Sequence, residues 1–156
     1  MTRQVQLPPG CRSLRFEDGT RYVAEREGGA FRDGIPLRAE ARASKASQLR
    51  GAVLSRFLDA TTKAAVERNR ENFGDITAGR VCAGVDYPAV IEGEQDFVLF
   101  WRTLPWDHAA EVLLAEEAGG LARRPDGSPY RPGHSGVGLL VEADTETWHI
   151  ARQLLD

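Results

Sequence analysis

The stretch "LPWDHAAEVLLAEEAGG", Leu104–Gly120, holds the residues with the clearest chemical potential. Asp107 follows Pro-Trp and opens a segment of helical period that ends on two glycines. A carboxylate at that point has two possible roles. It can cap the helix, accepting a bond from a free backbone N–H of the first turn, which contributes about 1 kcal/mol. It can also offer a hard oxygen to a cation such as Mg²⁺, because ligand sites in α/β sheets gather where a strand ends and a helix begins. One carboxylate does not complete that site, since magnesium also takes waters, substrate phosphate and usually a further protein oxygen. Both roles stay open on the residues alone.

The neighbours of Asp107 sort by helical geometry. His108 points about a quarter-turn away and reads as a surface or supporting residue. Arg102 and Thr103 lie in the connection before the helix, where a guanidinium can approach phosphate or pair with a surface carboxylate. Trp106 is expected as a large apolar anchor. Glu116 and Glu117 read as the solvated or packing tail of the same helix. His134 and His149 have no partner at useful spacing.

The elements that must position these residues follow from pattern. Residues 1–12 read as an extended entry, and "SLRF" and "RYVAERE" flank "EDGT", where Asp-Gly predicts a hairpin. "GGAFRDGIPL" predicts another turn and an edge strand. Gly51–Leu58 reads as a buried strand, followed by a helix over "DATTKAAVERNRE". "AGRVCAGVDYPAVIEG" reads as helical with a kink or break near Tyr87, because Pro88 has no N–H to donate. "DFVLFW" is a strand leading into the Asp107 helix, whose core stripe is expected at Ala110, Leu113, Leu114 and Ala118, with Gly119 and Gly120 as its stop. "VGLLV" is a buried strand, and Asp144 or Thr145 caps a last helix with Trp148, Ala151 and Leu155 on one face. Alternating strands and helices predict one α/β domain over residues 1–156, a mixed, largely parallel sheet flanked by helices.

Composition narrows the partners. The 156 residues are 42% hydrophobic and 28% charged with a net charge of -3, the profile of a folded domain without a basic stripe. Nucleic acid is not expected as a partner, and neither is a membrane, since no apolar run approaches spanning length. Cys11 and Cys82 stand far apart without metal-ligand spacing, which suits the reducing cytoplasm.

"PWDHAAEVLLAEEAGG" resembles the WDxAAGxLLxxEAGG signature of the inositol monophosphatase family, Mg²⁺-dependent phosphomonoesterases that include bisphosphate nucleotidases. "YVAEREGGAFRDGIPL" resembles the family's AxxGxGAFxNG hairpin, "VIEGEQDF" its xAxGxxD segment, and "DGSPY" its usual following turn. The resemblance covers roughly residues 22–155 and implies the fold of the C-terminal half of that family. It implies Asp107 as a metal ligand, Mg²⁺ as cofactor and a phosphorylated small molecule as substrate. Ala83 takes a weak substrate contact, because the equivalent helix start borders the substrate in relatives.

Departures accompany it. Glu111 replaces the motif's glycine, Phe100 stands where some members carry an acidic sugar-contacting residue, and Val81 and Cys82 replace a usual Gly and hydroxyl. The family's Glu-Glu pair and DPxDGT motif, which belong to its N-terminal metal-binding half, are absent. "FEDGT", Glu17–Thr20, reads as a hairpin turn instead. The expected function is therefore hydrolysis of a sugar or inositol phosphate, weak or dependent on a missing half. A 3'(2'),5'-bisphosphate nucleotide is the alternative substrate. The alternative function is a non-catalytic module that docks a partner chain or a second copy through the face such a half would cover.

Overall fold

A computed structural model describes residues 10–14, 18–43 and 45–156 of the chain. Strands β1 (Gly10–Leu14), β2 (Arg21–Glu25), β3 (Gly29–Arg32) and β4 (Ile35–Leu37) form an antiparallel sheet in that order. Most of the extended entry lies outside the described residues, as does Glu17 of the "EDGT" turn. The backbone of β1 pairs with β2 as the hairpin requires, Gly10 opposite Glu25 and Leu14 opposite Arg21. The β3–β4 connection is the two-residue turn Asp33–Gly34, with φ of 50° and 82°. Those paired positive angles match the right-handed twist of the strands, and Asp-Gly adopts them at low cost.

The second sheet has the order β6-β5-β7-β9-β8, built from β5 (Arg50–Val53), β6 (Asp75–Thr77), β7 (Phe97–Phe100), β8 (Leu121–Arg123) and β9 (Leu139–Glu142). It is mixed, with β5 parallel to both β6 and β7, whereas β9 runs antiparallel to β7 and β8. Parallel pairing is confined to that one side. Asp96 locks it, its carboxylate accepting the Arg50 N–H at 2.8 Å while its own N–H donates to the Arg50 carbonyl at 2.8 Å.

Helices α2 (Ala83–Ile91) and α3 (Pro105–Glu117) lie between the sheets, and α1 (Ala60–Asn69) and α4 (Thr145–Arg152) cover the far face of the second. Two apolar clusters result. One joins Tyr22, Tyr87, Val98, Leu114 and Leu139 across the sheets, and the other joins Leu49, Phe97, Leu140, Trp148 and Leu154 under the outer helices. Each fully buried leucine contributes about 1.5–3 kcal/mol. Asp59 and Asp144 cap α1 and α4, accepting from Thr62 N and Thr147 N at 2.9 and 2.8 Å. Gly119, at φ 89°, ends α3 with its N–H on the Glu116 carbonyl while Gly120 donates to Ala115. That bond pattern satisfies two carbonyls that would otherwise face solvent or core unpaired.

The structure corrects several expectations. Pro88 does not break α2 into two pieces. Only its own donation to the Gly84 carbonyl is lost, while Asp86 N bonds to Cys82 O and Glu92 N to Pro88 O at 2.8 Å each. The strand expected over residues 51–58 stops at Val53, and Ser55–Phe57 form a 3-10 turn. Leu54 and Phe57 are apolar because they line a cleft, not because they extend the sheet. In α3 the buried face runs through His108, Glu111, Val112, Leu114 and Ala115, and Ala110 is exposed. The 3-10 turn after α4, Gln153–Leu155, buries Leu154 fully and Leu155 only in part.

Candidate active site

A cavity of 420 Å³ opens where β5 and β7 end and α2 and α3 begin. Ala83 and Gly84 of the first turn of α2 line it together with Trp106 and Asp107 of the first turn of α3. The free N–H groups of a helix start carry partial positive charge, so two such ends meeting at one cavity favour an anion.

Asp107 is not a cap. Leu104 occupies the N-cap position with no side-chain bond, Pro105 fills the first helical position, and the exposed Asp107 carboxylate lies two residues further in. Proline there costs nothing, because its missing N–H would have had no helical acceptor. Asp107 lines the cleft with its side chain exposed. Trp106 is 78% exposed at the rim and anchors nothing, contrary to expectation. His108 is buried rather than on the surface, its Nδ1 3.0 Å from the Tyr87 hydroxyl. Burial pushes its pKa down, with Asp107 acting the other way.

The floor is aromatic. Phe100 stacks on Tyr87 at 5.2 Å between ring centroids and meets the edge of His108 at 4.7 Å. Phe100 thus supplies an apolar surface to the floor of the cleft. Cations gather on the opposite rim, where the Arg102 guanidinium sits 4.1 Å from the centre of the Phe57 ring and Arg56 lies 5.4 Å from it. The loop leading into α2 is held by buried Asp86, which accepts from Arg80 N at 2.9 Å and Cys82 N at 3.3 Å. Cys82 itself is exposed and lines the cavity beside Ala83.

The structure thus brings together Asp107, Ala83, Arg102, His108 and Phe100. Glu116 and Glu117 lie elsewhere, and Glu117 accepts from Glu27 N and Gly29 N at 2.8 and 3.0 Å to fasten the β2–β3 turn to α3. Sequence reading missed Arg56 and Phe57 as rim residues. Their only signal was an apolar and basic run too long for the strand that precedes it. Glu111, buried one turn after Asp107, also lines the cavity. Among the described residues, no group of three His, Cys, Asp or Glu side chains is placed to hold a metal.

Taken together, the mixed sheet, the helices on its faces and the cleft at its strand ends define a layered α/β fold. Comparison with known proteins makes the assignment specific. The model of the inositol monophosphatase family matches residues 15–154, and the chain belongs to that family. Its structure superposes on an inositol monophosphatase from Zymomonas mobilis with a TM-score of 0.77 at 19% identity, covering 88% of this chain and 53% of that one. For the extragenic suppressor protein SuhB from Bartonella henselae the values are 0.76, 22%, 93% and 56%. For a protein described as an IMPase/NADP phosphatase, complexed with NADP and Ca²⁺, they are 0.77, 18%, 94% and 55%. The chain spans about half the length of the solved structures it matches. No curated protein matches it in sequence. No helix among the described residues is long and apolar enough to cross a membrane.

Proposed function

We propose that this chain contributes to Mg²⁺-dependent hydrolysis of a phosphate monoester, with Asp107 as a metal ligand and the first turns of α2 and α3 as the cradle for the phosphate. The observation that supports it most is the exposed Asp107 carboxylate, left uncommitted by its own helix, in the cavity on which two helix starts converge. The donor chemistry fits a hard cation, because an uncapped carboxylate beside an anion-favouring cavity can hold Mg²⁺ jointly with substrate phosphate and water. When bound, such an ion lowers the pKa of a water and screens the charge on the leaving oxygen. Ala83 keeps the α2 side of the cavity narrow, and Arg102 and Arg56 draw the phosphate to the rim.

With a single assigned carboxylate the chain binds Mg²⁺ weakly and turns over slowly unless a further polypeptide completes the ligand set. The two cysteines without disulfide or metal-ligand spacing support a cytoplasmic setting. A docking role for a partner chain or second copy is the competing reading.

Phe100, Phe57 and Trp106 favour a nucleotide phosphate over a bare inositol phosphate, because an apolar floor and exposed aromatic rim suit a flat base and not a polyol. Two measurements on the full chain decide the proposal. Mn²⁺ should broaden the amide signals of Trp106, Asp107 and His108 in the wild type and not in Asp107→Asn. Slow phosphate release from a panel of inositol, sugar and nucleotide phosphates should fall at least about tenfold in that variant. Failure of Mn²⁺ to broaden those signals removes the metal role, and turnover unaffected by Asp107→Asn removes the catalytic one.

A further inference from the structure

A second cavity, of 560 Å³, adjoins the first, and Trp101 lines both. Its wall includes Arg124, Arg131, His134, Ser128 and Ser135. Arg124 is the unusual member. Its side chain is buried, the residue being 7% exposed. Nη1 donates to the Gly138 carbonyl at 3.2 Å and the Thr103 hydroxyl at 3.4 Å, and the guanidinium stands 5.5 Å from the centre of the Tyr130 ring. Nη2 has no hydrogen-bond partner among the described residues. A guanidinium stays charged in any protein environment, so burial without a counter-ion is unfavourable unless an anion arrives from outside.

The Asp126 carboxylate interacts with the Arg124 charge through space but makes no hydrogen bond to it. Asp126 lines the same cavity, but its Oδ1 accepts from Ser128 N at 2.9 Å and Ser128 Oγ at 2.6 Å, closing its own turn. Gly136 shows how tightly the following loop is drawn over the guanidinium. A Cβ at that position would stand 2.8 Å from Arg124 Cζ and 2.9 Å from Nε, so a larger residue would displace the arginine. That loop carries Arg131 and His134 to the exposed rim of the cavity. The result is a buried guanidinium whose Nη2 lacks a partner, with two further nitrogen-bearing side chains and the Ser135 hydroxyl along the same cavity wall.

We propose that this cavity is an anion site for a phosphate-type group. Arg124 supplies the buried charge, Arg131 and His134 close over the ligand, and Trp101 separates it from the Asp107 cleft. The site needs no metal, so it stands independently of the metal role given to Asp107. The anion has two possible sources. It is either a second phosphate on the molecule whose first phosphate occupies the cleft, or a separate inorganic anion.

Calorimetric titration of the full chain in EDTA with inorganic phosphate tests the site. The phosphate held in this cavity should bind at least about tenfold more weakly in Arg131→Ser, since a charge-assisted bond carries that much. Arg124→Met should abolish binding while circular dichroism remains native. If that buried substitution unfolds the chain, the exposed Arg131→Ser decides alone. Adenosine 3',5'-bisphosphate binding at least about tenfold tighter than adenosine 5'-monophosphate, with the difference lost in Arg131→Ser, assigns the anion to the substrate. Equal binding of the two nucleotides, with phosphate adding independently, assigns it to a separate ion. Absence of phosphate binding up to concentrations on the order of 10 mM, or binding indifferent to Arg131→Ser, overturns the site.

Discussion

The Tyr87 hydroxyl stands 3.0 Å from Nδ1 of His108, joining α2 to α3 beneath the cleft through two side chains that are both buried. Phe100 fills the space against both rings, so the three form the floor on which Asp107 is carried.

Burial lowers the His108 pKa from its ordinary value of 6.5, and this fixes the sign of a pH effect. The unfolded chain takes up a proton near 6.5 while the native imidazole resists it. Stability is therefore fully present above that pH and falls as pH drops through 6.5 toward the lower native value. Denaturant midpoints measured from pH 8 to pH 5 should decline across that interval, and the His108 ring signals should titrate below 6.5. Tyr87→Phe removes the hydroxyl partner of His108 Nδ1 and should cost about 1–2 kcal/mol at pH 8. An unchanged midpoint in Tyr87→Phe would show that the bond contributes nothing.

Glu142 gives the opposite dependence on the outer face of the second sheet. It is 1% exposed, opposite Phe97 and Leu121 in the strand register, and neither carboxyl oxygen has a hydrogen-bond partner among the described residues. Burial holds its pKa well above the ordinary 4.5, with Arg123 opposing and Asp144 reinforcing the shift. The unfolded chain releases this proton near 4.5 and the native chain only at higher pH. Its contribution is thus complete below 4.5 and is lost as pH rises toward the native value. Glu142→Met removes both the orphaned oxygens and the titration, and should raise stability by about 1–2 kcal/mol at pH 8 and by less at pH 4. Chemical denaturation at the two pH values reads the difference directly.

The helix ends that border the candidate site were legible in the sequence to the extent that local chemistry determines them. Pro105 before Asp107 and Gly119 after the helix fix both ends of α3, and Asp59 and Asp144 cap their helices as short polar side chains do. What stayed hidden depends on tertiary contacts. The buried face of α3 escaped notice because two of its members, His108 and Glu111, are polar types that only a neighbouring ring or cavity brings inside. The three-residue strands β6 and β8 carry too little period to show alone, and they exist because β5 and β9 offer edges to pair with. Trp106 looked like core because aromatic area normally seeks burial, yet it stands at the mouth of a cleft.

Val81 holds a φ of 60° with its side chain 70% exposed, on the loop that leads into α2. That region is costly for a β-branched residue, at about 1–3 kcal/mol, and persists only when surrounding bonds impose it. Here the Asp86 carboxylate imposes it by gripping the N–H groups on both sides, at Arg80 and Cys82. Val81→Gly relieves the strain and loses only an exposed side chain, against a cost of about 0.4–1 kcal/mol for glycine's freedom in the unfolded chain. The melting temperature should rise, and a fall would mean that the valine makes a contact worth more than its strain.

Two aspartates at helix starts separate the roles a carboxylate can play there. Asp144 is a true cap, accepting from Thr147 N at 2.8 Å, whereas Asp107 lies inside α3 and bonds to no N–H of its own helix. Asp144→Ala should therefore cost about 1 kcal/mol at any ionic strength, because it leaves a backbone donor unsatisfied. Asp107→Asn should cost no more than about 0.5 kcal/mol, all of it from charge near the helix start, and that difference should disappear in about 1 M salt, where exposed charges are screened within about 3 Å. Urea denaturation of the two variants at low and high salt measures both. A salt-independent loss of about 1 kcal/mol in Asp107→Asn would show that this carboxylate ties off its own helix, and the cleft would then lose the one anionic group proposed to reach a cation.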